Sequence, residues 1–193
     1  MAMGSLAGAA LLVGHPATAA AHLVTTGMGP VYDGAGHLFL TPEDLVPVLA
    51  IALFAGLRGP AAGRRAMFLL PPAWLMGGLI GSVLRVGAPA STPALSFLVL
   101  GGLVASDLRA PVAWVSGLAV IVGLVHGFGN GAVLRDGAGT LGLIGIVAMS
   151  YVVVTLVAAS VVSLRVPWMR IAVRVAGSWI AAVGLLMFGW ALR

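Results

Sequence analysis

The sequence has no cysteine, and only 8% of its 193 residues are charged. Without cysteine the chain has no disulfide, no thiolate metal site and no cysteine nucleophile. Soluble proteins carry roughly 25% charged residues, most of them on the surface. This chain lacks such a surface, and 61% of its residues are hydrophobic. We therefore expect it to lie in the lipid bilayer and its fold to be all-α, a polytopic bundle of membrane helices.

Lysine is also absent, so the ten basic residues are all arginines. They are scattered at the ends of hydrophobic stretches rather than clustered, which is typical of topology signals and argues against nucleic-acid binding. Seven follow the first, third and fifth stretches, namely Arg58, Arg64, Arg65, Arg109, Arg165, Arg170 and Arg174; the alternate ends hold Arg85, Arg135 and Arg193. Since arginine-rich loops stay in the cytoplasm, the pattern predicts that both mature termini lie outside.

The amino terminus is typical of a secretory signal. Leu6–Val13 is an apolar run about as long as a signal-peptide core and too short to span a bilayer. Ala19-Ala20-Ala21 fits the small-residue rule for cleavage and would leave His22 as the first residue, whereas Ala17-Thr18-Ala19 is a competing site. An uncleaved first helix is the alternative. The sequence thus predicts a signal over residues 1–21 and a single six-helix membrane domain over residues 22–193.

Six membrane spans are predicted after this segment. The first begins at Thr41-Pro42-Glu43-Asp44, where threonine can cap a helix, proline suits its first position, and two carboxylates face the positive end of the helix dipole. This helix is only about 24 Å long, so we expect it to sit low in the membrane or to gain an interfacial turn from Leu38-Phe39-Leu40. The spans are about Pro42–Leu57, Ala66–Val86, Pro93–Ser106, Pro111–Gly129, Thr140–Leu164 and Ile171–Leu192.

Two glycine patterns bear on packing. The pairs Gly77/Gly81 and Gly123/Gly127 place small residues four apart, which permits close helix contact. Asp33-Gly-Ala-Gly is echoed by Asp136-Gly-Ala-Gly. In a chain this rich in glycine and alanine, we do not treat that echo as a repeat.

The polar residues that could carry chemistry are concentrated between His22 and Asp44, a stretch with two of the four histidines and three of the five carboxylates. His126 lies about three residues before the predicted outer end of the fourth span, with Asn130 one turn later. These residues can meet on one side of the membrane, and imidazole, carboxylate and amide oxygen suit nickel, cobalt, zinc or copper. The predicted ligands are His22, Asp33, His37 and His126, with Asp44 and Asn130 as secondary candidates.

Structural interpretations compete with this one. His126 can be a buried histidine bonded to a carbonyl, Glu43 and Asp44 can serve only the helix start, and Asp33 can be a turn residue. No phosphate loop, repeated channel filter or Gly-x-Ser-x-Gly elbow occurs. An intramembrane serine protease would need a pair such as Ser150 and His126. We expect the protein not to be an enzyme.

The chain resembles the second, divergent branch of the HupE/UreJ family of bacterial membrane proteins. The resemblance rests on the run from His22 to His37, on Thr41-Pro-Glu-Asp-Leu45 and on His126-Gly-Phe-Gly-Asn130. It implies an inner-membrane protein that supplies nickel or cobalt to hydrogenase or urease systems. By position, the implied metal ligands are His22, Asp33, His37, Asp44 and His126. The Asp-His pair in the first span of the better-studied branch is absent here.

Three functional hypotheses follow. The first is a permease that takes up Ni²⁺ or a similar cation from the outer side through helix rearrangement. The second is a non-transporting accessory that holds metal for, or docks onto, a metalloenzyme such as hydrogenase or urease. The third is a membrane oxidoreductase in which a histidine pair binds haem or copper.

Overall fold

The computed structural model describes residues 25–191, and within this range the chain is helical and contains no strand. This confirms the all-α prediction. The predicted signal, its cleavage site and His22 lie outside the described residues. The helices are α1 (Pro30–Leu40), α2 (Pro42–Arg58), α3 (Pro60–Leu84), α4 (Thr92–Ser106), α5 (Val112–Leu134), α6 (Gly139–Val162) and α7 (Pro167–Ala191).

Four of these helices, α3, α5, α6 and α7, are long and apolar enough to cross a membrane. α1 and α2 meet at a 76° bend and qualify together as a fifth, broken span. α4 has 15 residues and is about 22 Å long, shorter than the hydrocarbon core. The multi-pass membrane character is therefore clear, with four to five candidate spans among the described residues; six spans stay a prediction, in which the short α4 would be the sixth.

α1 is a full helix where the sequence predicted at most one interfacial turn. It begins with Pro30 at its first position and ends before Thr41, whose backbone is extended (φ −110°, ψ 91°). A residue that precedes proline disfavours the helical conformation, so Pro42 forces the break and then begins α2. The 76° bend sets α1 nearly crosswise to α2, with its last turn near the first turn of α2.

Two predicted boundaries were wrong. α3 begins at Pro60 instead of Ala66, directly after Gly59 in the left-handed region (φ 102°), so Pro71 and Pro72 lie in its middle. α5 continues to Leu134 instead of ending near Gly129. His126 is therefore eight residues, or about 12 Å, from the end of α5, deeper than the sequence suggested.

The glycine pairs lie in the contact between α3 and α5, and their spacing permits the close helix approach seen there. A Cβ atom added to Gly81 would overlap the carbonyl oxygen of Phe128, and one added to Gly127 would overlap that of Trp74. α1 packs in the same way on the start of α6, where Gly34 meets Gly142. α7 packs mainly on α4 and leaves most of its surface exposed.

Candidate metal-binding site

Asp44 is the centre of a buried polar cluster. Its carboxylate accepts a hydrogen bond from Asn130 Nδ2 at 2.8 Å, and His126 Nδ1 lies 3.1 Å from its other oxygen. His37 Nε2 lies 3.8 Å from Asp44 Oδ2, too far for a hydrogen bond. We refer to His37, Asp44, His126 and Asn130 as the Asp44 cluster. All four residues are at most 7% exposed.

Three helices bring the cluster together. The bend at Thr41 places His37, in the last turn of α1, near Asp44 in the first turn of α2. His126 and Asn130 are one turn apart on α5 and therefore share a face. The close glycine contact of α5 with α3 holds that helix in place. Each donor group thus comes from a rigid element.

Two hydrogen bonds orient the amide of Asn130. Its Nδ2 donates both to Asp44 and to the carbonyl oxygen of His126, the latter at 3.0 Å. Its Oδ1 is buried and has no hydrogen-bond partner. An unsatisfied buried acceptor is costly and needs an explanation. A bound cation is one group that would use this oxygen.

His126 is held by a second set of contacts. Ser96 Oγ lies 2.9 Å from its Nε2, and the ring of the fully buried Trp74 packs beside it at 5.6 Å between centroids. Because the Asp44 carboxylate can only accept, Nδ1 carries the proton of a neutral His126, and Nε2 accepts the Ser96 hydroxyl. Neither Ser96 nor Trp74 was identified from the sequence.

Ser96, His126 and Asp44 contact one another in the order found in a hydrolase triad. The backbone around Ser96, however, argues against a role as nucleophile. Ser96 is the fifth residue of α4, where backbone N–H groups are used in helical hydrogen bonds. Acyl transfer needs free donors beside the nucleophile to bind the developing oxyanion. We therefore interpret Ser96 as orienting His126. Ser150, the serine considered from the sequence, instead donates to the Val147 carbonyl on its own helix.

Asp33 is not part of the Asp44 cluster. It accepts two hydrogen bonds from Thr26, one from the backbone N at 2.6 Å and one from the hydroxyl at 2.7 Å. It lies one turn before His37 on α1, and both residues line a cavity of about 220 Å³. A separate cavity of about 390 Å³ adjoins the cluster and is also lined by His37. His37 thus lies between the two cavities.

Within residues 25–191, no three His, Asp or Glu side chains stand with their ligand atoms already gathered around one point. Both ring nitrogens of His126 are engaged by Asp44 and Ser96. His37 Nε2 and Asn130 Oδ1 make no hydrogen bond within the described residues, so a cation could bind either atom without displacing one. His126 Nε2 could join them only after it releases the Ser96 hydroxyl.

Comparison with known protein families matches residues 10–187 to the family model described as HupE / UreJ protein. Neither the curated proteins nor the solved structures contain a match to this chain.

Proposed function

The chain belongs to the HupE/UreJ family, and we propose that it binds a divalent transition-metal ion at the Asp44 cluster. The family is generally linked to nickel or cobalt transport or to metalloenzyme maturation, so these two metals are the first candidates. Copper and zinc take the same classes of donor. The role is that of a binding or transport protein and not of an enzyme.

The observation that carries this proposal is the buried carboxylate of Asp44 between two imidazoles and the unpartnered oxygen of Asn130. An ionisable group buried among membrane helices is expensive and marks a functional site by default. Nitrogen and oxygen donors in this mixture are those that borderline divalent cations prefer. The adjoining cavity gives an ion access to the same four side chains.

Two of the ligands predicted from the sequence take other places in this proposal. Asp33 shares a cavity with His37, so we propose it as an early contact for the incoming cation. His22 remains a ligand predicted from the sequence alone. If cleavage frees it, its amine and imidazole would bind a metal together, and amino-terminal sequencing of the purified protein would test that cleavage.

As a permease, the protein would admit the cation from the outer side of the inner membrane. The arginine asymmetry supports this orientation, because the cluster lies at the end of the bundle opposite to Arg58, Arg109 and Arg170. Both termini would then lie outside. Helix rearrangement would have to pass the ion inward.

One observation favours the accessory role. Between Asp44 and Arg58 every residue of α2 is uncharged and apolar, over about 21 Å of helix. An ion that moved along α2 away from Asp44 would then meet three arginines, whose charge repels a divalent cation. A protein that holds metal for a metalloenzyme needs no such path.

Flux into sealed proteoliposomes separates the two roles. A permease is expected to load vesicles with nickel above the protein-free background and to lose this flux on His37→Ala substitution, whereas Glu43→Gln, an exposed neighbour of Asp44, retains it. An accessory protein is expected to bind nickel as a permease would, but to show no flux into the vesicles. Wild-type protein that neither binds nor transports nickel or cobalt would contradict both roles.

Removal of the Ser96 hydroxyl is expected to strengthen metal binding. In Ser96→Ala the metal no longer competes with a hydrogen bond for His126 Nε2, so affinity should rise roughly two- to tenfold, the equivalent of one hydrogen bond. Nickel titration by calorimetry measures this change, with Ser116→Ala as control because that hydroxyl bonds only to its own helix. Unchanged binding in Ser96→Ala would show that His126 Nε2 is not a ligand, whereas weaker binding would show that the Ser96 hydroxyl is needed to orient His126.

A further inference from the structure

A second polar site lies at the end of the bundle opposite to the Asp44 cluster. Arg58, Asp107, Arg109 and Arg170 line a cavity of about 670 Å³. These residues come from the end of α2, the connection between α4 and α5, and the start of α7. We refer to it as the arginine cavity. It plays no part in the metal site proposed above.

The arginine cavity carries an excess of positive charge. Asp107 is the only one of the five acidic side chains that lines it, and it pairs with both Arg58 and Arg170. Arg109 has no ion-pair partner in the part of the chain that the structure describes. Three guanidinium groups and one carboxylate leave two positive charges in excess, and both Arg109 and Arg170 repel the charge on Arg58.

The buried guanidinium of Arg58 also has an unused donor. Its side chain is only 9% exposed, and its Nε has no hydrogen-bond partner. A buried donor left unpaired costs free energy, more so on a charged group. Arg58, whose Nε is unpaired, and Arg109, whose guanidinium is unpaired, both line the arginine cavity.

These arginines differ from the others at the same end of the bundle. The other four, Arg64, Arg65, Arg165 and Arg174, are exposed and do not line the arginine cavity. Arg58, Arg109 and Arg170 are instead brought together from distant parts of the chain around one space. Topology alone does not require that convergence.

We propose that the arginine cavity binds a phosphate group. Guanidinium forks match the oxygens of phosphate with paired hydrogen bonds, and a doubly charged phosphate balances the excess of two positive charges. The cavity volume falls in the range of small-molecule sites, so a substituent on the phosphate can be accommodated. The group can come from a soluble phosphate compound or from the headgroup of an anionic lipid at this membrane surface.

Phosphate binding has a structural consequence. α7 contacts α2 only weakly and packs mainly on α4. Arg170 already donates to the Leu57 carbonyl of α2 and pairs with Asp107, and a phosphate held jointly by the three arginines adds a further connection between the same elements. The bound group therefore stabilises the attachment of α7 to the bundle.

The test uses the full-length protein with Arg109→Gln, and Arg165→Gln as the matched control. Both variants remove one arginine from the same end, and both positions are exposed, so folding should be retained. Calorimetry with inorganic phosphate measures binding of a soluble phosphate. Native mass spectrometry after reconstitution in phosphatidylcholine vesicles, with and without phosphatidylglycerol, measures how much anionic lipid the protein retains.

We expect Arg109→Gln to weaken binding by at least about tenfold, the loss of a charge-assisted hydrogen bond, while Arg165→Gln stays within about twofold. This pattern with inorganic phosphate supports a soluble ligand. The same pattern with retained phosphatidylglycerol alone supports a lipid headgroup. The proposal is overturned if wild-type protein binds neither, or if Arg165→Gln loses as much as Arg109→Gln.

Discussion

Nickel binding is expected to weaken at least about 100-fold when Asp44 is replaced by asparagine. The substitution keeps the size of the side chain and removes its charge, so the effect reports the carboxylate as a ligand and not the packing around it. The new amide oxygen can still accept a hydrogen bond from His126, and Asn130 can turn its Oδ1 toward the new amide nitrogen if it gives up its hydrogen bond to the His126 carbonyl. The fold should therefore persist, as circular dichroism and size-exclusion chromatography in detergent would show.

Glu43→Gln is the matched control for Asp44→Asn. Glu43 is the adjacent carboxylate on the same helical turn and lines the same cavity as Asp44, but its side chain is exposed and makes no hydrogen bond within the described residues. Its substitution should change nickel affinity by no more than about threefold, since it removes only a screened surface charge. If both substitutions weaken binding equally, the cation responds to the general negative charge of this end and not to a site at Asp44.

Gly127→Val is expected to cause the largest loss of stability. A Cβ at this position would overlap the carbonyl oxygen of Trp74 in α3, and backbone cannot move aside as a flexible side chain can. Overpacking of a close contact costs about 1 to 3 kcal/mol, and more where backbone must shift. We expect the protein to unfold at much lower temperature in detergent and His126 to lose its packing against Trp74.

Gly117→Val on the same helix provides the control for Gly127→Val. A Cβ added to Gly117 would meet no atom within 4 Å. The substitution adds the same side chain to the same helix, so it tests for any general effect of valine on α5. A thermal midpoint that falls equally in both variants would contradict the close contact of α3 with α5.

The helices themselves were largely predictable from the sequence. Thr41-Pro42-Glu43-Asp44 correctly placed the start of α2, because capping and dipole effects are local. α1 was missed because Asp33-Gly-Ala-Gly has low helix propensity. What stabilises that segment as a helix is the packing of Gly34 on Gly142, a contact between distant parts of the chain that no local pattern shows.

The same limit explains which residues of the site could be predicted from the sequence. Asp44 was interpreted mainly as a helix-start residue, although Pro47, Val48 and Ile51 mark the buried face of α2 and Asp44 falls on it. That spacing could have separated Asp44 from the exposed Glu43. Ser96 and Trp74 could not be identified, because their contact with His126 depends on how α4 and α3 are rotated against α5.

X-ray absorption spectroscopy of the nickel-loaded, purified protein would test the Asp44 cluster most directly. Wild-type protein should hold one nickel ion per chain, with nitrogen and oxygen ligands and the scattering of two imidazoles, from His37 and His126. His126→Ala should retain the scattering of one imidazole only. A wild-type spectrum without imidazole would contradict metal binding at this cluster, and a spectrum unchanged in His126→Ala would remove His126 from the ligands.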